Sequence, residues 1–366
     1  MKDMRVLLAA GGTGGHLFPA EALAHALVAR GARVELATDS RASKYGAEFP
    51  AGAMHAIPSA TPRGGGFVAR AGALATLGRG VLASLALLRR VKPDVVVGFG
   101  GYPTVPPLFA ASLLRIPTLL HEQNAVMGKA NRFLAGRVTR IATGFPLAGA
   151  ARAALDKSVV TGNPLRPAVL KAAAWPYPGF EDGRLHVLVT GGSQGARVMS
   201  DVVPAAIAAL DPQERARIAL VQQARGEDEA RVKDVFARIG FSAEVAPFFK
   251  DLPRRIADAH LVVARSGAST VSEIAAIGRP AILVPFPFAL DADQAANAAE
   301  LARTGAVVVV EQKDFTAGRL TSLLREALAS PEDLTKRAQA AKSAGVPDAA
   351  ERLADEVVRL AAKAGG

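Results

Sequence analysis

Two stretches of this chain share one pattern. Met4 to Ala10 is an apolar run that ends in Gly11-Gly12-Thr13-Gly14-Gly15-His16, followed by Pro19 and a helical pattern through Ala29. Leu185 to Val189 is a second apolar run, ending in Thr190-Gly191-Gly192-Ser193-Gln194-Gly195-Ala196 before another helical pattern. A strand that passes through glycines straight into a helix belongs to a doubly wound parallel sheet. Meeting it in both halves of a 366-residue chain predicts two similar α/β domains in tandem.

The rest of the chain fits that scheme. Further strands are expected at Val34–Ala37, Pro117–His121 and Val138–Ala142 in the first half. In the second half they are expected at Ile218–Gln222, Ala243–Ala246, Leu261–Ala264, Ala281–Val284 and Ala306–Val310, with a last helix from Asp348 to Ala362. Val95 to Leu114 carries no charge for 20 residues, enough to span a bilayer. Its Gly98, Gly100, Gly101, Pro103, Pro106 and Pro107 make it a strand, a glycine loop and a helix instead. Thr161 to Pro167 (TGNPLRP) breaks the alternation and reads as the linker, placing the domains at 1–163 and 164–346.

Charge narrows the partners. The formal net charge is +11. Residues 1–160 hold 19 Lys/Arg against 8 Asp/Glu, and residues 161–366 hold 25 of each, so the whole excess lies in the first half. That half is expected to meet something anionic. One Trp and three Tyr offer little base stacking, which disfavours nucleic acid and favours an anionic membrane surface or a phosphorylated substrate. Residues 62–92 contain no acidic residue. Leu74, Leu77, Val81, Leu85 and Leu88 share one helical face, ringed by Arg63, Arg70, Arg79, Arg89, Arg90 and Lys92. This is the pattern of a basic amphipathic element lying on a membrane, and equally of a helix packed on a sheet. The absence of cysteine excludes disulfides and thiolate metal sites and fits a reducing cytoplasm.

Three places carry chemistry. His16 opens a helix, where the dipole disfavours imidazolium and a neutral, base-competent ring is expected. His121-Glu122-Gln123-Asn124 stands at the carboxyl end of a strand, where open α/β sheets bind ligands. Ser266-Gly267-Ala268-Ser269-Thr270 leads into a helix with Glu273 in its first turn. Helix amino ends behind small residues suit phosphate, and a carboxylate there accepts hydrogen bonds from ribose hydroxyls. The same residues also suit a plain cap, with Ser269 and Thr270 capping. Asp291-Ala292-Asp293 has the form of a metal-holding pair on nucleotide sugars, but at a helix entry Asp is favoured as a cap.

GGTGGH with Pro19, Gly100–Tyr102, HEQN at 121–124, GNPLR at 162–166, GGSQGA at 191–196, SGASTVSE at 266–273 and DQAAN at 293–297 fall in order along the chain. Together they resemble the bacterial MurG family, which transfers N-acetylglucosamine from UDP-GlcNAc to undecaprenyl-pyrophosphoryl-N-acetylmuramoyl-pentapeptide. The resemblance implies a GT-B fold: two Rossmann-like doubly wound domains facing across a cleft, with residues 347–366 returning to the first. It implies a peripheral enzyme on the cytoplasmic face of the inner membrane, inverting transfer, and no metal or other cofactor. By resemblance Glu273 binds the ribose, while Ala268, Ser269, Thr270, Val271, Ser272 and Ser193 lie near the pyrophosphate. Phe249 meets the uracil through its backbone, and Gln294, Arg166 and Asn124 contact the donor. Thr13, Gly14 and Gly15 line the facing loop, and His16 or Glu122 activates the acceptor hydroxyl. Phe288 departs from the polar residue usual before Asp291. A UDP-N-acetylglucosamine 2-epimerase on the same fold is the principal rival reading; it needs no lipid surface, so the basic apolar stretch speaks against it.

Overall fold

The computed structural model describes residues 4–11, 14–39, 49–61, 66–192, 195–289 and 293–364. The chain divides into two compact units, Met1–Arg166 with Asp348–Gly366 and Pro167–Pro347.

The described strands of the first unit are all parallel. They are β1 (Arg5–Ala9), β2 (Arg33–Thr38), β3 (Ala53–Ala56), β4 (Val95–Gly98), β5 (Thr118–Glu122), β6 (Arg140–Thr143) and β7 (Ser158–Val160). Their spatial order is β3-β2-β1-β4-β5-β6-β7. Val6 pairs with Val34 on one side and Val95 on the other, so β1 is an interior strand and needs apolar residues on both faces. Alternation sorts those faces. Val6 and Leu8 pack with Leu23 and Leu27 of α1 (Gly14–Ala29) and with Leu353 and Val357 of the Ala349–Ala364 helix. Leu7 and Ala9 pack with Leu88 of α2 (Phe67–Val91), Leu108 of α3 (Val105–Leu113) and Leu134 of α4 (Lys129–Ala135). The Ala349–Ala364 helix is therefore part of this unit, and Arg30, just past α1, ties to it through Glu351 and Asp355.

α2 favours the packed reading for part of its stripe. Its five-residue apolar stripe is not one free face. Leu88 is core, and Val81 and Leu85 pack against the same cluster. Gly80 lies so close to the Pro58 carbonyl that a Cβ there would sit 2.1 Å from it. Among the described residues, the exposed large apolar side chains of α2 are Leu74 and Leu82, at 61% and 68%, and Leu82 lies outside the stripe.

The second unit repeats the plan. β8 (Leu185–Thr190), β9 (Ile218–Gln223), β10 (Ala243–Ala246), β11 (Leu261–Ala264), β12 (Ala281–Leu283) and β13 (Val307–Val309) form a parallel sheet in the order β10-β9-β8-β11-β12-β13. Arg279 is its least expected member. The side chain is 1% exposed and gives its guanidinium to the carbonyls of Ala257, Ile277, Gly278 and Pro176. Burial lowers its pKa to about 10. Gly278, at φ +79°, closes the preceding helix in the left-handed conformation that glycine adopts without strain.

Candidate active site

In both sheets strand order reverses at the first strand, between β1 and β4 and between β8 and β11. The carboxyl ends of strands at such a reversal open a crevice for ligands. Gly11 and the start of α1, with the turn after β4 through Tyr102, flank the first reversal; Gly191 and Gly192 after β8, with Ser266–Ala268 after β11, flank the second. Of the sequence-predicted residues that are described, Gly14, Gly15 and His16 lie at the first of these places and Ala268 at the second.

In the first unit Gly14 begins α1, and Gly15 and His16 follow in its first turn. His16 lies against the Gly100–Gly101 turn. A Cβ on Gly101 would be 3.6 Å from His16 Nε2, and one on Gly100 would be 3.2 Å from His16 Cδ2. Both glycines have positive φ, +91° and +76°, so the turn brings bare backbone up to the imidazole. One turn along α1, the Arg166 guanidinium stacks on Phe18, 4.4 Å from the ring centre. Thr13 lies outside the described residues.

Glu122 ends β5 and is 2% exposed. Its Oε1 accepts hydrogen bonds from the Asn124 backbone N–H at 3.0 Å and Asn124 Nδ2 at 3.3 Å. Its Oε2 accepts from the Gly128 N–H at 3.0 Å and Asn131 Nδ2 at 2.8 Å. Burial pushes the carboxyl pKa up, and these hydrogen bonds oppose that shift. His121 is fully buried beside Phe99, with Nε2 3.3 Å from the Gly162 carbonyl. Burial brings its pKa down to about 4, so its ring is neutral at pH 7. Gln123 donates to the Phe99 carbonyl and Asn163 Nδ2 to the Gln123 carbonyl, stitching the ends of β4, β5 and β7 together. Asn131 is not singled out by the sequence, because a lone Asn carries no motif until the fold brings it to one; Asn163 stands in the GNPLR motif without an assigned role.

In the second unit the Ala268–Ile277 helix starts behind Gly267, its N-cap, with no side-chain cap hydrogen bond. Ser269 and Thr270 lie inside the first turn and do not cap, which overturns the capping alternative. The opening N–H groups of an α-helix have no intrahelical acceptor, so this end offers donors and a positive dipole to an anion. Val271 and Ser272 complete the opening turns, and Glu273 falls in the second turn, not the first. Its side chain is also buried, at 9% exposure.

Around this helix end the loops are braced. Asn297 Nδ2 donates to the Ser266 carbonyl at 3.3 Å. Arg265 donates to the carbonyls of Val284 and Pro285 and, at 2.6 Å, to Gln312 Oε1. Gln294 Oε1 accepts the Phe286 N–H at 3.0 Å, which holds the loop that presents the exposed Phe288. Phe249 is buried after β10 under the Arg255 guanidinium, 4.2 Å away. Asp293 Oδ1 accepts the Gln294 N–H at 2.8 Å, and Asp291 and Ser193 lie outside the described residues. Among the described residues no group of three His, Asp or Glu side chains is placed to hold a metal ion. A cavity of about 350 Å³, lined by Leu261, Ile282, Val308 and Arg337, opens elsewhere, toward the amino ends of β11 to β13.

Two family models match the chain: the glycosyltransferase family 28 N-terminal domain over residues 6–143 and its C-terminal domain over residues 186–353. The "UDP-N-acetylglucosamine--N-acetylmuramyl-(pentapeptide) pyrophosphoryl-undecaprenol N-acetylglucosamine transferase" of Methylobacterium nodulans is 61% identical over 98% of this chain and 97% of its own. The crystal structure of Acinetobacter baumannii MurG superimposes with a TM-score of 0.79 at 28% identity, covering 98% of this chain and all of that one. A UDP-GlcNAc 2-epimerase from Neisseria meningitidis has a TM-score of 0.69 at 13% identity over 98% of this chain and 100% of its own, a likeness of fold alone. The two parallel-sheet α/β units are thus of GT-B type, and the chain belongs to glycosyltransferase family 28, in its MurG branch.

Proposed function

We infer that this chain transfers N-acetylglucosamine from UDP-GlcNAc to the C4 hydroxyl of lipid-linked N-acetylmuramoyl-pentapeptide. The near-full-length identity to a transferase of that name carries the reading. The acceptor oxygen bonds to the anomeric carbon from the face opposite UDP. The bond from that carbon to the diphosphate oxygen breaks, and UDP leaves with the electron pair. The hydroxyl proton passes to a base, for which His16 and Glu122 are the candidates. The uncapped end of the Ala268–Ile277 helix is suited to the charge that grows on the departing diphosphate. Glu273 binds the ribose hydroxyls, and Gln294, Arg166, Asn124 and Phe249 contribute to holding the donor.

The acceptor's lipid tail stays in the bilayer, so the enzyme works at a membrane surface. We place that surface on the first unit, at the cytoplasmic face of the inner membrane, with anionic lipid as the partner. Leu74 and Leu82 of α2 support this, as do Leu113 and Phe133, all exposed, with Arg79, Arg89 and Arg90 also at the surface. The Arg137 guanidinium caps the ring of Phe133 at 4.8 Å, joining a cation to the apolar group. The deciding assay is transfer of labelled GlcNAc to a lipid-linked muramoyl acceptor in the presence of a chelator. Product formation is expected; no transfer, or epimerised UDP-GlcNAc instead, would refute the reading.

A further inference from the structure

Four N–H donors converge on the Glu122 carboxylate, two on each oxygen. A carboxylate has about four lone-pair sites. All are engaged, so a proton can enter only by displacing a donor. A general base needs an open lone pair facing the proton it takes. Three of the donors come from Asn124 and Gly128, the two ends of the loop after β5. The fourth is the side chain of Asn131 on α4.

Asn131 reaches further. It is 5% exposed, and its Nδ2 donates to Glu122 Oε2 at 2.8 Å and lies 3.4 Å from the His121 carbonyl. Its Oδ1 has no hydrogen-bond partner. Flipping the amide would set that oxygen against two other acceptors, so Glu122 and the carbonyl fix the orientation at the expense of one orphan acceptor. The amide abuts Gly100: a Cβ there would be 3.2 Å from both Asn131 Nδ2 and Oδ1, and equally 3.2 Å from His16 Cδ2. Asn131 and His16 therefore press on the same glycine.

We propose that Glu122 and Asn131 form a clamp that positions the 123–128 loop and the Gly100 turn beside His16, and that Glu122 is not the base. The proposal rests on the transferase reading and leaves His16 as the proton acceptor. Both residues act through others, the loop bearing Asn124 and the Gly100 turn that lies against the His16 imidazole, and neither takes part in bond making. An amide in place of Glu122 would keep one oxygen and turn an NH₂ toward two donors, so E122Q breaks half the clamp while keeping its shape.

The test is the pH dependence of kcat, with acceptor and donor KM, for the full chain and for E122Q, N131A, E122Q/N131A and H16A. Transfer by the unaltered chain is read first, since its failure counts against the transferase reading and not the clamp. E122Q and N131A are each expected to lower kcat about 10- to 100-fold, the scale of a lost hydrogen bond to a charged group. The acid limb of the pH profile should stay in place, and the double variant should be no worse than the worse single one. Loss of the acid limb in E122Q would overturn the proposal. So would a shifted limb with unchanged plateau kcat in N131A, or multiplicative effects in the double variant. Should E122Q fail to fold by circular dichroism, N131A and Asn131→Ser decide: the serine keeps a donor and is expected to recover part of the lost kcat, and no recovery counts against the clamp.

Discussion

His260 accepts the backbone N–H of His186 on Nδ1 at 2.9 Å, and its Nε2 lies 2.8 Å from the Gly179 carbonyl. The ring is thereby held neutral, with the proton on Nε2. It joins the start of β8 to the Pro178–Gly179 segment, stacked on Phe180 at 3.9 Å. Protonating Nδ1 would set two donors against each other. Asp182, His186, Tyr177 and Arg279 are the other titratable groups facing it.

Burial lowers the pKa of His260 and brings that of His121 to about 4. Below about pH 6.5, down to about 4 for His121, the unfolded chain binds protons that the native chain refuses, and His260 acts in the same direction. Stability is therefore expected to be full above about pH 6.5 and to fall as pH drops toward 4, by about 1.4 kcal/mol per pH unit for each fully effective histidine. Urea denaturation at a series of pH values checks this. His260→Asn should lessen the slope; an unchanged slope would mean that the histidine does not couple to folding.

Glu273→Ala is expected to raise the donor KM by an amount equivalent to a few kcal/mol at most, as for a lost pair of charge-assisted hydrogen bonds. Because the side chain is buried, the variant should also lose about 1–3 kcal/mol of stability. Glu273→Gln separates the two effects, since it keeps the volume. An unchanged donor KM in both variants would remove Glu273 from the site.

His16→Ala should lower kcat by about 10² to 10⁴, the usual share of a general base, with donor affinity kept. Steady-state kinetics with both substrates varied provides the measurement. Added EDTA should leave the rate alone, whereas a strict Mg²⁺ requirement would bring back the metal reading of Asp291 and Asp293.

Binding to anionic liposomes should be reversible and weakened, but not abolished, by salt. Each basic residue near the surface contributes about 1 kcal/mol, screened within a Debye length. Leu74→Ser with Leu82→Ser, or Arg79, Arg89 and Arg90 changed to Glu, should lower flotation with liposomes. These side chains are at the surface, so the fold should persist. Activity on a short-chain soluble acceptor should fall much less. Undiminished flotation would move the docking surface elsewhere.

Most of the strands were legible from residues alone because a buried parallel strand must be apolar along its length. Val95–Gly98 and Leu261–Ala264 are of that kind, buried at every position. β3 and β7 were missed for the converse reason. Both lie at sheet edges with exposed positions and lack the apolar run that marks a central strand. The α2 stripe left two readings open because periodicity shows which residues share a face and not what covers it; part of this one packs in the cluster that includes α3.

The sequence by itself determined the tandem α/β plan, the two glycine turns and the ordered motifs that mark the family. Those depend on backbone conformation and local pattern, which neighbouring residues dictate. Tertiary structure alone decided that Glu273 is buried, that Arg279 lies among carbonyls and that Asn131 meets Glu122 and Gly100. It also decided that Glu122 is enclosed by donors. The chemistry of a carboxylate depends on which donors and how much water reach it, and segments distant in sequence set both.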